Sequence, residues 1–171
     1  MMKRIILTLL FYSFVATSVA QYCSCIAETK DEKLGTETKS GTTKSNDGYT
    51  LLIQKEKNYM NPSKEPTYFL SLDAASRSIF SNNLMNKKGK IELILKNKSK
   101  IILENAKSFY NPVVSGLCIT FGATITKEQL QTILINPIVT FSAFGVVKTS
   151  FKEKKQREQQ IIVNCLLSED W

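Results

Sequence analysis

Residues 115–138 read SGLCITFGATITKEQLQTILINPI and pass from the repeat of a strand to the repeat of a helix. Every second residue from Leu117 to Ala123 is apolar, whereas the residues between them are small or polar. Because side chains alternate between the two faces of a strand, this pattern predicts a half-buried strand over Ser115–Thr124. Cys118 is expected on its less apolar face.

The second half of this stretch carries the signals of a short helix. Thr126 is a predicted N-cap, and Gln129 three residues later completes a capping box. Since Pro137 cannot continue a helix, the predicted helix spans Lys127–Ile135. The apolar run that follows, Ile138–Val147, predicts a central strand that is buried on both faces.

A longer C-terminal helix is predicted from Phe151 to Leu167. Ser150 and Glu153 have the spacing of a second capping box at its start. Cys165 belongs to an apolar stripe along its last turns, so this part of the helix is expected to face the core.

The chain before residue 115 predicts further strands. Two are expected at Tyr49–Lys55 and Pro66–Leu72, whereas residues 74–86 fit either a strand or a helical turn. An antiparallel hairpin is predicted over Gly89–Glu104, with a three-residue loop at 97–99 that keeps its apolar residues on one face. In that register like charges face each other across the strands, which is mildly destabilising.

These elements predict one α+β domain over residues 49–171. Neighbouring strands joined by short loops imply an antiparallel sheet of about five to six strands. Two helices are expected to pack on one face of the sheet, and the longer of the two is C-terminal.

Residues 1–20 have the three parts of a secretory signal peptide. A lysine and an arginine at positions 3–4 precede the apolar run Ile5–Ala16, and small residues offer a cleavage site after Ala20. A membrane anchor would need roughly 20 predominantly apolar residues, and this run is shorter. A lipoprotein signal would need small residues immediately before its cysteine, and neither Cys23 nor Cys25 has them. A periplasmic or secreted location is therefore expected.

Residues 21–48 are predicted to be a flexible polar tether between the signal and the domain. From position 27 onward the segment has almost no large apolar side chain. Burial therefore cannot offset the entropy lost when the segment becomes ordered. No segment after the signal is long and apolar enough to span a membrane.

The chain is basic and contains no histidine. Removal of residues 1–20 leaves 21 lysine and arginine residues against 15 acidic residues, a net charge of +6. This charge favours contact with anionic surfaces, although no motif predicts a specific nucleic-acid partner. The absence of histidine excludes Ser-His-Asp catalysis, Cys-His catalysis and every histidine metal site.

No group of residues in the sequence predicts catalysis, a cofactor or a metal. The glycine-rich nucleotide motifs and the G-x-S-x-G nucleophile motif are absent. Glu92, Glu104 and Asp73 are candidates for a paired-carboxylate hydrolase only by elimination, and surface charge is the simpler interpretation. We therefore predict a protein that is not an enzyme, with no catalytic, cofactor-binding or metal-binding residues.

The four cysteines would all remain after export, which permits disulfide bonds. Cys118 and Cys165 are predicted on opposite sides of the sheet, so they should not be bonded to each other. Cys165 is expected to be a buried small hydrophobe. Cys118, if it is paired, would pair with Cys23 or Cys25.

The hairpin at Gly89–Glu104, the segment ITKEQLQTILINPI at 125–138 and the C-terminal helix resemble small exported proteins of unknown function from Bacteroidota bacteria. The resemblance is structural and covers residues 89–167. It implies a periplasmic or secreted location and assigns no functional residue.

Two functions from different classes are open at this point. The first is a non-enzymatic binding or interaction module that uses an exposed sheet face or edge to contact an envelope protein or an anionic surface. The second is a secreted effector or inhibitor that acts on another protein through its basic surface. A hydrolase of unfamiliar type is a minor third, which a concave pocket with converging acids would favour.

Overall fold

A computed structural model describes residue 23 and residues 26–74, 87–113 and 116–168, except for the side chains of residues 111–117. The predicted signal peptide and residues 75–86 lie outside these ranges. The described chain forms one antiparallel sheet and two helices, the longer of which is C-terminal, as the sequence predicted.

The sheet has nine strands, not five to six, among the residues that the structure describes. The strands are β1 (Ala27–Asp31), β2 (Thr36–Lys44), β3 (Thr50–Asn58), β4 (Thr67–Ala74), β5 (Lys88–Leu95), β6 (Lys100–Val113), β7 (Gly116–Ile125), β8 (Ile138–Ala143) and β9 (Val147–Ser150). The helices are α1 (Lys127–Ile135) and α2 (Glu153–Leu167). Across the sheet the order is β1-β2-β3-β4-β7-β6-β5-β8-β9, and all neighbouring pairs are antiparallel.

Strands β1 and β2 occupy the segment that the polar composition predicted as a flexible tether. The ladder between β2 and β3 runs without interruption from Thr36 opposite Asn58 to Lys44 opposite Thr50. Backbone hydrogen bonds of this kind do not require apolar side chains. The prediction of a flexible tether was therefore wrong over β1 and β2. It was based only on the small apolar area that the side chains can bury and did not include the backbone hydrogen bonds.

The predicted central strand over Ile138–Val147 is instead the two strands β8 and β9. The chain reverses at Phe144 and Gly145, which have φ angles of 57° and 71°. Positive φ is uncommon for a phenylalanine. Its ring lies 5.3 Å from the ring of Phe121 and close over Gly89, where a β-carbon would be 2.7 Å away. An apolar residue in the turn explains why the pattern resembled one continuous strand.

The hairpin between β5 and β6 forms two residues away from the predicted register. Leu93 pairs with Ile101, and the loop occupies residues 96–98, one position earlier than predicted. A shift of two residues keeps every side chain on its predicted face. It also relieves the expected charge repulsion, because the carboxylate of Glu92 lies 3.0 Å from the Lys100 ammonium.

The predicted capping box of α1 is confirmed, whereas that of α2 is wrong. The Thr126 hydroxyl accepts a hydrogen bond from the Gln129 backbone N–H, and the Gln129 side chain accepts one from the Thr126 N–H. Helix α2 begins after Lys152, which makes no side-chain cap. Ser150 ends β9, and its hydroxyl accepts a hydrogen bond from the Asn46 amide at 2.8 Å.

Both helices contribute to a single core on one face of the sheet, which we call the inner face. Helix α2 packs against β2, β3 and β8. Alternate strand residues such as Leu51 and Ile53 are fully buried beside Leu130 of α1 and Leu166 of α2. In the described part of the chain, neither helix has the length and apolar character needed to cross a membrane.

The close approach of α2 to β2 depends on Gly41. A β-carbon at this position would lie 2.6 Å from the nearest carbon of Ile162 and 2.9 Å from Ile26. We expect Gly41→Ala to lower the free energy of unfolding by about 1–3 kcal/mol, because the added methyl group overpacks the core. Urea denaturation measures this change. Thr42→Ala, on the exposed neighbouring position, should change it by less than about 0.5 kcal/mol, and equal effects would contradict the packing argument.

Candidate functional site

The outer face of β3, β4, β7 and β6 carries a groove of about 610 Å³. Its position opposite the core follows from the alternation of side chains: Leu51 and Ile53 are buried inward, whereas Leu52 and Gln54 line the groove. We call this site the outer groove. Its side chains come from all four strands: Leu52, Gln54, Glu56, Phe69, Ser71, Asp73, Asn105, Lys107, Phe109, Thr120 and Thr124, with Gly122 in the floor.

The strand registers arrange part of the floor as a row that crosses the strands. Leu52 lies opposite Ser71, Ser71 opposite Gly122, and Gly122 opposite Lys107. The two middle residues are the smallest of the row, so the floor is lowest at its centre. Three strand spacings separate its ends, a distance of about 14 Å.

Two phenylalanine rings stand on either side of this row. Phe109 lies opposite Thr120, one row away on one side, and Phe69 lies opposite Thr124, one row away on the other. Phe109 remains 44% exposed. A β-carbon on Gly122 would lie 3.2 Å from the β-carbon of Ser71 and 3.8 Å from the Phe109 ring, so the glycine keeps the floor low between these two side chains.

A bulge in β6 turns the side chains of Lys107 and Phe109 towards the groove. Before the bulge, odd-numbered residues such as Leu103 are buried in the core; after it, the even-numbered Ala106 takes that place. Asn105, with a φ angle of 56°, lies within this irregularity. The extra residue reverses the alternation of faces. Sequence reasoning ended the strand at Glu104 and therefore missed both outward side chains.

Polar groups surround the apolar centre of the groove. The Thr120 hydroxyl donates a hydrogen bond to the Asp73 carboxylate at 2.5 Å. Cys118, on the same face of β7, is buried and not disulfide-bonded. Burial, and then the nearby charge of Asp73, raise the pKa of this thiol above its ordinary value. The protonated thiol is a poor nucleophile.

The structure does not bring together the three carboxylates that were candidates for hydrolysis. Asp73 lines the groove from β4, whereas β5, which carries Glu92, is three strand spacings away, about 14 Å. Glu92 is paired with Lys100, and Glu104 is exposed on β6. Within the described residues no three cysteine, aspartate or glutamate side chains are placed to hold a metal ion.

Cys165 forms a disulfide bond with Cys23, and their α-carbons are 5.6 Å apart. The prediction that Cys118 and Cys165 are not bonded to each other is confirmed. The prediction that Cys165 is a buried small hydrophobe is confirmed for its burial and wrong for its chemistry, because its sulfur is bonded to Cys23. The partner was missed because Cys23 lies in the segment that was expected to be a flexible tether.

Comparison of the chain with models of protein families, with curated proteins and with solved structures found no match.

Proposed function

We propose that the protein is an exported, non-enzymatic binding module that takes a small ligand with an apolar body into the outer groove. One observation carries this proposal. Phe109 is exposed, and Leu52 and Phe69 are partly exposed, around a floor of small residues on a face that neither described helix covers. Apolar surface of this kind is stabilised by removal from water, and a ligand can provide that removal.

The size of the outer groove suits a small molecule. Its volume of about 610 Å³ lies inside the range of roughly 300–1,000 Å³ that is typical of small-molecule sites. Its apolar side chains supply contact area, and the side chains of Asp73, Asn105 and Gln54 offer hydrogen bonds at the rim. This combination of apolar contact and a few orienting polar groups is common to ligand pockets.

Two features support the export that this proposal includes. Residues 1–20 have the n-region, apolar run and cleavage site of a signal peptide. The disulfide between Cys23 and Cys165 belongs to a class of bond that persists in oxidising compartments such as the periplasm and the extracellular medium. A periplasmic or secreted location is therefore part of the proposal.

The arrangement of charges favours binding over the two alternatives from the sequence. The candidate carboxylates are dispersed, which gives no support to a paired-carboxylate hydrolase. Lys96 and Lys100 are each within 4 Å of a carboxylate of Glu153 or Glu92, so these two lysines do not form an uncompensated basic surface. We propose no effector or inhibitor function, because no feature of the described residues favours it over binding in the outer groove.

The neutral fluorophore N-phenyl-1-naphthylamine tests the proposal, because its emission rises when it leaves water. We expect saturable binding to the exported protein. Phe69→Ala and Phe109→Ala should each weaken this binding by about tenfold, since each removes an aromatic contact from the ligand. Fluorescence titration gives both dissociation constants.

Ile135→Ala is the matched control for these variants. Ile135 is 74% exposed at the end of α1, away from the outer groove, so its loss should leave the affinity unchanged. Absence of saturable binding would contradict the proposal. An equal loss of affinity in Ile135→Ala and Phe109→Ala would also contradict it, because the fluorophore would then bind elsewhere.

A further inference from the structure

The row that forms the floor of the outer groove ends in two lysines. Lys107 lines the groove on β6, and Lys88 lies directly opposite it on β5. Directly opposed residues of an antiparallel pair share a face, with β-carbons about 5 Å apart. Both side chains are exposed. The row therefore runs from Leu52 at its apolar end to a pair of ammonium groups at the other.

This lysine pair lacks the carboxylate that elsewhere compensates charge on the sheet. Like charges directly opposed on neighbouring strands are destabilising. Among the described residues, neither Lys88 nor Lys107 has a carboxylate within 4 Å, whereas Glu92 on the same sheet pairs with Lys100. The Asp73 carboxylate belongs to β4, two strand spacings from β6, and accepts the Thr120 hydroxyl. An anion between the two ammonium groups would turn their repulsion into attraction.

We propose, on the basis of the function proposed above, that the ligand is an amphiphile with one anionic headgroup, such as a carboxylate with an alkyl chain. Lys107 and Lys88 hold the headgroup. The alkyl chain follows the row over Gly122 and Ser71 towards Leu52, between the rings of Phe109 and Phe69. The row is about 14 Å long, which admits an alkyl chain of medium length.

The position of the charges favours one anionic group over a polymeric anion. Lys107 is the one cation among the described residues that line the groove; it stands at one end of the row with Lys88 beyond it, and the Asp73 carboxylate stands beside the middle of the row. A polyanion lying along the groove would place a negative charge near this carboxylate, which is unfavourable. A molecule with a single charged end avoids that contact.

Competition with N-phenyl-1-naphthylamine tests the inference by comparing decanoate with decanol, which has the same chain and no charge. Decanoate is expected to displace the fluorophore from the exported protein at a concentration about tenfold lower than decanol. The double variant Lys88→Gln/Lys107→Gln should remove this preference, so that decanoate and decanol displace the fluorophore from it at similar concentrations. Added salt should weaken decanoate binding selectively.

Lys148→Gln is the matched control, because Lys148 is an exposed lysine on the same sheet, on β9, three strand spacings from β6. It should keep the preference for decanoate. The double variant should unfold at an equal or higher urea concentration than the original protein, since it relieves the repulsion between the two lysines.

The outcomes separate the two proposals. If the fluorophore binds but decanoate and decanol compete equally, or the double variant keeps the preference, the inference about the anion is refuted and the groove remains a binding site. If the preference disappears equally in Lys148→Gln, the effect is one of overall charge, and the inference is likewise refuted. If the fluorophore does not bind in a saturable manner, the proposed function itself fails.

Discussion

Loss of the bond between Cys23 and Cys165 is expected to lower the free energy of unfolding by about 2–5 kcal/mol. The two residues are 142 positions apart, so the bond closes most of the described chain into one loop. In the chain-entropy account, a longer loop restricts the unfolded chain more and stabilises the folded state more. Cys23→Ser and Cys165→Ser should each show this loss in urea denaturation.

Reduction provides the control for these variants. The unmodified protein in dithiothreitol should fall to the stability of Cys23→Ser, whereas Cys23→Ser itself should be insensitive to the reductant. Cys25→Ser should keep the bond, and a peptide map without reduction should contain Cys23 linked to Cys165. Equal stability of the oxidised and reduced proteins, or a linkage through Cys118, would contradict the structure.

Gln159→Met is expected to lower the free energy of unfolding by about 2–4 kcal/mol, because it leaves two buried backbone groups without partners. The side chain of Gln159 is fully buried. Its amide oxygen accepts a hydrogen bond from the Ile138 N–H at 2.9 Å, and its amide nitrogen donates one to the Ile138 carbonyl at 3.3 Å. The side chain thus takes the place of a neighbouring strand at the first residue of β8.

Gln160→Met supplies a matched comparison on the same helix. The Gln160 amide also donates to a backbone carbonyl, that of Leu134, but its side chain is only partly buried. Water can replace this hydrogen bond, so the expected loss is below about 1 kcal/mol. Urea denaturation of both variants decides the point. A loss in Gln159→Met no larger than in Gln160→Met would show that Ile138 finds other partners.

The elements that sequence predicted well are those specified by their own residues. Helix α1 follows from a capping box at its start and Pro137 after its end, and both signals lie within a few residues of the helix. The predicted core faces of β5 and β7 are likewise correct for the described side chains, because alternation along one strand indicates which residues point to the core. The prediction of a half-buried β7 is wrong at Cys118 and Thr120, which are buried on the opposite face.

The elements that sequence predicted poorly depend on partners far along the chain. The polar β2 is ordered by its ladder to β3 and by α2, whose Ile162 packs on Gly41. The repulsion expected in the β5–β6 hairpin disappears with a shift of two residues. The two hydrogen bonds of Gln159 could not be predicted from its position in a helix, because they depend on where β8 lies in the fold.

The sequence by itself determined the α+β class, the two helices and the inward faces of the main strands, because local periodicity and capping specify each of these. Only the tertiary structure decided the outer groove. The groove requires β4 to lie beside β7, which places Ser71 opposite Gly122. It also requires the bulge near Asn105, which turns the Lys107 side chain outward. Such contacts depend on the free energy of packing the whole sheet, which no short segment contains.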